Sequence, residues 1–129
     1  MLLCAALCAG VLAGCGKAVS TSGFSGAERE VAQTIANLQT DATASDQKKI
    51  CGEVLSASVV ASLGGRQGCE AALKTQLTQI DNLEATVQTV KVSGTMATAS
   101  VVAIHEGKKH LETVTLVRES GGWRISGLK

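Results

Sequence analysis

The stretch VSGTMATASVVAIHEGKKHLETVTLVRESGGWRISGLK, residues 92–129, decides the fold because apolar and polar residues alternate along most of it. Alternation with a period of two places successive side chains on opposite faces of a β-strand. Short turns that contain glycine interrupt the pattern at 93–95, 106–109 and 119–122. The pattern predicts an antiparallel meander. Its strands are predicted at 84–93, 95–106, 109–118 and 122–128.

Symmetric closing of these turns predicts how the strands pair. It pairs Val92 with Ala97 and Val101 with Val114. The same register places His105 on one strand opposite the neighbouring strand's His110. The alternating apolar residues then share one face of the sheet, and small alanine side chains on that face let helices approach closely. This face is predicted to be the core.

Upstream of the strands, apolar residues recur with the period of an α-helix. Three helices are predicted, at 26–43, 46–63 and 69–81. The first follows an S-x-x-E capping box formed by Ser25 and Glu28. Three helices followed by four antiparallel strands indicate an α+β fold, with the helices packed on one face of the sheet.

The N-terminal residues 1–14 are all Met, Leu, Ala, Val, Gly or Cys. The stretch is too short to cross a bilayer of about 30 Å as a helix, but its length suits the apolar part of a signal peptide. The following Leu12-Ala13-Gly14-Cys15 resembles the lipobox of bacterial lipoproteins. The Lys or Arg that usually precedes such a stretch is missing, as expected if the natural start lies upstream of Met1.

The lipobox resemblance implies where the protein is located. Residues 1–14 are expected to be removed as a signal peptide, and Cys15 to carry lipid chains. Two or more chains anchor a protein durably to a membrane, whereas one chain does not. Residues 15–25 are small and polar, which predicts a flexible tether. We therefore expect an exported protein anchored to the outer face of the cell membrane, or to an outer membrane.

Two cysteines, Cys51 and Cys69, remain in the part of the chain expected to be exported. An oxidising compartment favours a disulfide between them, and closing a loop of this length contributes about 3 kcal/mol in the chain-entropy model. Two free buried thiols, or a redox or metal pair, are the alternatives. The spacing is not C-x-x-C, and no histidine lies near either thiol in the sequence.

The order of features in residues 92–129 resembles the nuclear-transport-factor-2-like superfamily, which has a cone-shaped, cystatin-like α+β fold. These features are a turn, an Ala-rich strand, a strand ending in Leu-Val, a Gly-Gly turn and a terminal Trp-Arg-Ile. Small actinobacterial lipoproteins built on this fold are especially similar. The resemblance implies that residues 26–129 form one domain. It does not imply one activity, because the fold supports many functions.

Composition excludes several classes of partner. The formal net charge is +1, with 12 basic and 11 acidic residues, so neither a nucleic-acid partner nor a polybasic lipid-binding surface is expected. Aromatic residues make up 2% of the chain and tyrosine is absent, which removes the tyrosine that steroid isomerases of this superfamily need. We therefore expect a non-enzymatic module without a cofactor or metal. Its expected partners are membrane lipid, and another protein or a small apolar ligand.

The alternative function is a pocket enzyme with isomerase-like or dehydratase-like acid/base chemistry, or a small-ligand binder. Its residues would be His105, His110 and Glu112, with Glu106 nearby. Two imidazoles and a carboxylate at the open end of a cone could transfer protons or bind zinc. The same residues are also expected on a solvated rim where the apolar pattern of the strands ends.

Overall fold

The structure is a computed structural model that describes residues 20–77, 84–105 and 107–129. In this part of the chain, four α-helices and one π-helix precede four β-strands. The helices are α1 Gly26–Thr43, α2 Gln47–Lys49, the π-helix Ile50–Val54, α3 Ala57–Ser62 and α4 Gly65–Leu77. The strands are β1 Glu84–Ser93, β2 Met96–His105, β3 Lys108–Glu119 and β4 Gly122–Leu128. The predicted signal peptide, Cys15, Glu106 and the side chain of His105 lie outside the described residues.

The four strands form one antiparallel sheet in the order β1-β2-β3-β4, and the predicted α+β class is confirmed. Helix α1 packs against β1 and β4 on one face of the sheet. The core lies between them because alternate strand residues point toward the helices. Its buried members are Val31, Ala32, Ile35, Ala36, Ile50, Val54, Val87, Val90, Ala97, Ala99, Val101, Val114, Leu116, Trp123 and Ile125.

The predicted register is wrong for the β2–β3 hairpin. Val101 pairs with Glu112 rather than Val114, and His105 pairs with Lys108 rather than His110. The cause is a shorter turn, in which Gly107 has a φ of +74°, a conformation that tight hairpin turns require. A shift of two residues leaves every side chain on its predicted face, so the core is unchanged.

The second predicted helix, 46–63, is wrong as a continuous element. Asp46 accepts a hydrogen bond from the Lys49 amide at the start of α2, but the helix ends after the π-helix, and Leu55 is extended. Leu55 forms a parallel bridge with Ile125, and the Ser56 amide donates to the Ile125 carbonyl at 2.8 Å. Buried Ser56 then caps α3. Tertiary pairing with β4 therefore divides the predicted helix into separate segments.

The start of the third predicted helix is also wrong. Helix α4 begins at Gly65, four residues before the predicted start at Cys69. Gly64 and Gly65 have φ values of +96° and +80°, which glycine adopts without the steric penalty of a side chain. They reverse the chain directly after α3. The predicted end at residue 81 lies outside the described residues.

Candidate functional site

The residues predicted from the sequence as a pocket rim lie at the β2–β3 hairpin. His110 pairs with Ala103, and Glu112 pairs with Val101. His110 is exposed and Glu112 is half-buried. The structure thus brings two of the three candidates onto neighbouring positions of one strand face, while the side chain of His105 lies outside the described residues. Among the described residues, no three His, Cys, Asp or Glu side chains are grouped to hold a metal ion.

A cleft lies elsewhere, between α1, the π-helix and the turn that precedes β4. Its volume is about 500 Å³, within the range of small-molecule sites. We call it the α1 cleft. Its lining residues are Gly26, Arg29, Glu30, Gln33, Thr34, Asn37, Asp41, Lys49, Glu53, Val54, Gly121, Gly122 and Trp123. Both the helical layer and the sheet therefore contribute to it.

Helix α1 contributes the longest wall of the α1 cleft. Its apolar stripe, which includes Val31 and Ile35, is buried in the core. Arg29, Gln33 and Asn37 recur every fourth residue, so they lie on one face of the helix, and all three line the cleft. The Gln33 Nε2 donates a hydrogen bond to Asn37 Oδ1 at 3.0 Å. One helix thus presents an apolar stripe to the core and a polar row to the cleft.

The opposite wall is held in place by a covalent bond and by hydrogen bonds. A disulfide joins Cys51 in the π-helix to Cys69 in α4, with a Cα–Cα distance of 6.1 Å. The Arg124 Nη1 of β4 donates to the Gly52 carbonyl at 2.6 Å. The disulfide expected from the sequence therefore fixes a cleft wall as well as closing a loop.

Charged groups of both signs line the α1 cleft. Arg29 and Lys49 are cationic, whereas Glu30, Asp41 and Glu53 are acidic. Lys49 Nζ lies 3.5 Å from Asp41 Oδ1, a longer separation than the charge-assisted hydrogen bonds of about 2.7–2.9 Å found in strong pairs. A lining with this many charged groups favours a polar ligand over the small apolar ligand considered from the sequence.

Two polar atoms of cleft residues are buried without partners in the described part of the chain. They are Asp41 Oδ2 and Trp123 Nε1. The Asp41 side chain is only 5% exposed. Sequence reasoning missed both groups. One signal was present: Asp41 is in the last turn of α1, where the negative end of the helix dipole opposes a carboxylate.

Most of helix α4 and the sheet match the model of a known family. Residues 68–127 match the family described as "Putative lumazine-binding". This range takes in the strands and one edge of the α1 cleft, including Trp123, but leaves out α1 and the π-helix. No curated protein matches the chain significantly. None of the helices in the described residues is long and apolar enough to cross a membrane.

Two solved structures share the fold. RPA3114, a SEC-C motif containing protein from Rhodopseudomonas palustris, aligns with a TM-score of 0.60 and 17% identity, covering 74% of each chain. A second protein, named Rd1NTF2_05_I64F_A80G_T94P_D101K_L106W, aligns with a TM-score of 0.54 and 15% identity. The alignment covers 79% of this chain and 97% of that protein. The described domain therefore has a nuclear-transport-factor-2-like fold.

Proposed function

We propose that this protein is a small-ligand-binding module whose site is the α1 cleft and which is held at a membrane surface by lipid on Cys15. The observation that carries the binding role is the cleft itself. It has a volume of about 500 Å³, and its lining combines charged groups with the indole of Trp123. Sites of this size with a few buried polar groups are typical of small-molecule binding.

The family similarity suggests the kind of ligand. The name of the matched family refers to lumazine, a planar bicyclic nitrogen heterocycle with polar edges, and the match extends over Trp123 on β4. A planar ring in the cleft can contact the small part of Trp123 that borders it, while its polar edges form hydrogen bonds with the polar row of α1. We therefore propose a planar nitrogen heterocycle as the ligand of the α1 cleft.

Titration of the protein with lumazine tests this binding role. We expect saturable binding by calorimetry, together with a change in tryptophan fluorescence. Trp123 is the chain's single tryptophan and tyrosine is absent, so the intrinsic emission reports on the cleft. Replacing exposed Gln33 by phenylalanine should fill the cleft and reduce the affinity at least about tenfold, since each lost 1.4 kcal/mol is a factor of ten.

The matched control is Thr40→Phe, which places the same ring on an exposed position of α1 that does not line the cleft. This variant should bind lumazine like the unmodified protein. Absence of saturable binding both of lumazine and of related planar nitrogen heterocycles would contradict the proposed role. An equal affinity in the Gln33→Phe and Thr40→Phe variants would instead place the ligand outside the α1 cleft.

Membrane attachment is supported by the Leu12-Ala13-Gly14-Cys15 motif and by the polar segment between Cys15 and α1. An intact mass measurement on protein extracted from membranes tests it. We expect a species that begins at Cys15 and carries the added mass of acyl chains. The Cys15→Ala variant should keep residues 1–14 and lack that mass. A species of the unaltered protein that retains residues 1–14 and lacks the acyl mass would contradict the attachment.

A further inference from the structure

Asp41 is the most deeply buried carboxylate of the α1 cleft, and the fold leaves it incompletely satisfied. Its side chain is 5% exposed, and its Oδ1 has Lys49 Nζ at 3.5 Å. Its Oδ2 has no hydrogen-bond partner among the described residues. Burying an ionised group is unfavourable unless hydrogen bonds and an opposite charge compensate for it. Here the compensation within the protein is partial.

The position of Asp41 in α1 adds to this cost. The residue lies in the last turn of α1, and no basic residue lies in that turn. Carbonyl groups at a helix C-terminus carry partial negative charge, so a carboxylate there is destabilising. The neighbouring Lys49 offsets this cost only in part, since it lies 3.5 Å from one of the two carboxylate oxygens. A ligand that donates hydrogen bonds would supply the partners that the Asp41 carboxylate lacks within the protein.

We propose that Asp41 selects the ligand, and that the preferred ligand is a planar nitrogen heterocycle with two adjacent N–H donors, as in the 2-amino-4-oxo ring of a pterin. This inference rests on the proposed function of the α1 cleft. A carboxylate accepts two parallel N–H bonds from such an edge. Lumazine has an oxo group in place of the 2-amino group, so a carbonyl oxygen would face the second carboxylate oxygen and repel it.

The other groups of the cleft are compatible with this ligand. Arg29 and Gln33 line the cleft with exposed side-chain N–H donors, and a pterin ring has carbonyl and ring-nitrogen acceptors on its other edges. Lys49 is 51% exposed. The end of this flexible side chain can move aside to admit a ligand to Asp41.

The test compares pterin and lumazine by calorimetry on the unmodified protein and on Asp41→Asn. We expect the unmodified protein to bind pterin at least about tenfold more tightly, since a hydrogen bond to a charged group contributes that much. An asparagine side chain has a carbonyl acceptor beside an NH2 group with two donors, and this acceptor–donor pair matches the adjacent N–H and C=O of lumazine. The Asp41→Asn variant should therefore lose pterin affinity about tenfold or more and bind lumazine at least as well as pterin.

The control is Glu28→Gln, which removes a carboxylate from α1 outside the cleft and should leave the pterin preference intact. Asp41→Asn should melt at or above the temperature of the unmodified protein, because it removes an unfavourable charge. If lumazine binds as well as pterin in the unmodified protein, or if Asp41→Asn leaves their ratio unchanged, the inference is overturned while the binding role stands. If neither heterocycle binds, the proposed function itself fails.

Discussion

Replacing Cys51 and Cys69 together by alanine lowers the free energy of unfolding by about 3 kcal/mol. The two residues are 18 positions apart, and opening a loop of this length returns conformational entropy to the unfolded chain. Both side chains are buried, so alanine leaves no unpaired polar group. For a domain of this size we expect the melting temperature to fall by roughly 10 °C or more. Denaturation in urea measures the free energy directly.

Reduction of the unmodified protein is the matched control for this variant, because it opens the same loop without changing the sequence. Both treatments should give similar losses of stability. They should also speed amide hydrogen exchange in the π-helix, whose wall of the α1 cleft would then depend on the hydrogen bond from Arg124 to Gly52. A loss of stability below about 1 kcal/mol would show that packing, and not the disulfide, holds this segment.

Replacing Gly68 by alanine destabilises the protein, although the same change inside a helix is usually stabilising by about 1 kcal/mol. Gly68 lies within α4, against the end of α3. A Cβ atom built on it would collide with the carbonyl oxygen of Leu63 and lie 3.1 Å from that residue's carbonyl carbon. Backbone atoms cannot rotate away as a flexible side chain can, so α3 and α4 must separate. We expect a loss of about 1–3 kcal/mol.

The matched control for Gly68→Ala is Gly23→Ala, where an added Cβ meets no atom within 4 Å. That variant should have the stability of the unmodified protein or slightly more, since alanine restricts the unfolded chain. Thermal denaturation of the two variants side by side separates the collision from the general effect of removing a glycine. Equal stability of both would contradict the close approach of α3 and α4.

The sheet could be predicted because apolar and polar residues alternate along most of its strands. This alternation marks the face that packs in the core. A register error of two residues in β2–β3 did not change which residues are buried, since faces repeat every second residue. The break in the second helix could not be predicted in the same way. Leu55 and Ser56 carry no local signal that outweighs the helical pattern around them. Their pairing with Ile125 depends on β4, about 70 residues later in the chain.

The candidate site was much less predictable than the fold. Histidines are strong candidates for site residues in a sequence because free imidazoles titrate near neutral pH. In the structure, however, His110 is exposed on the β2–β3 hairpin, and the cleft lies elsewhere. The polar row of α1, with Gln33 and Asn37, looks like an ordinary solvated helix face. It becomes a cleft wall only when the π-helix and the β3–β4 turn are placed beside it, and those placements depend on long-range contacts. Asp41 alone carried a local signal, through its unfavourable position in the helix.

The bridge between Leu55 and Ile125 also affects self-association of this protein through the edges of its sheet. An outermost strand with free amide and carbonyl groups is a template for a strand from another chain. Part of that template on β4 is occupied by the protein's own Leu55 and Ser56. The opposite border, β1, has an irregular register between Val87 and Thr89 and bears exposed Lys91. At high local concentration, edge-to-edge polymerisation is therefore disfavoured on both borders of the sheet.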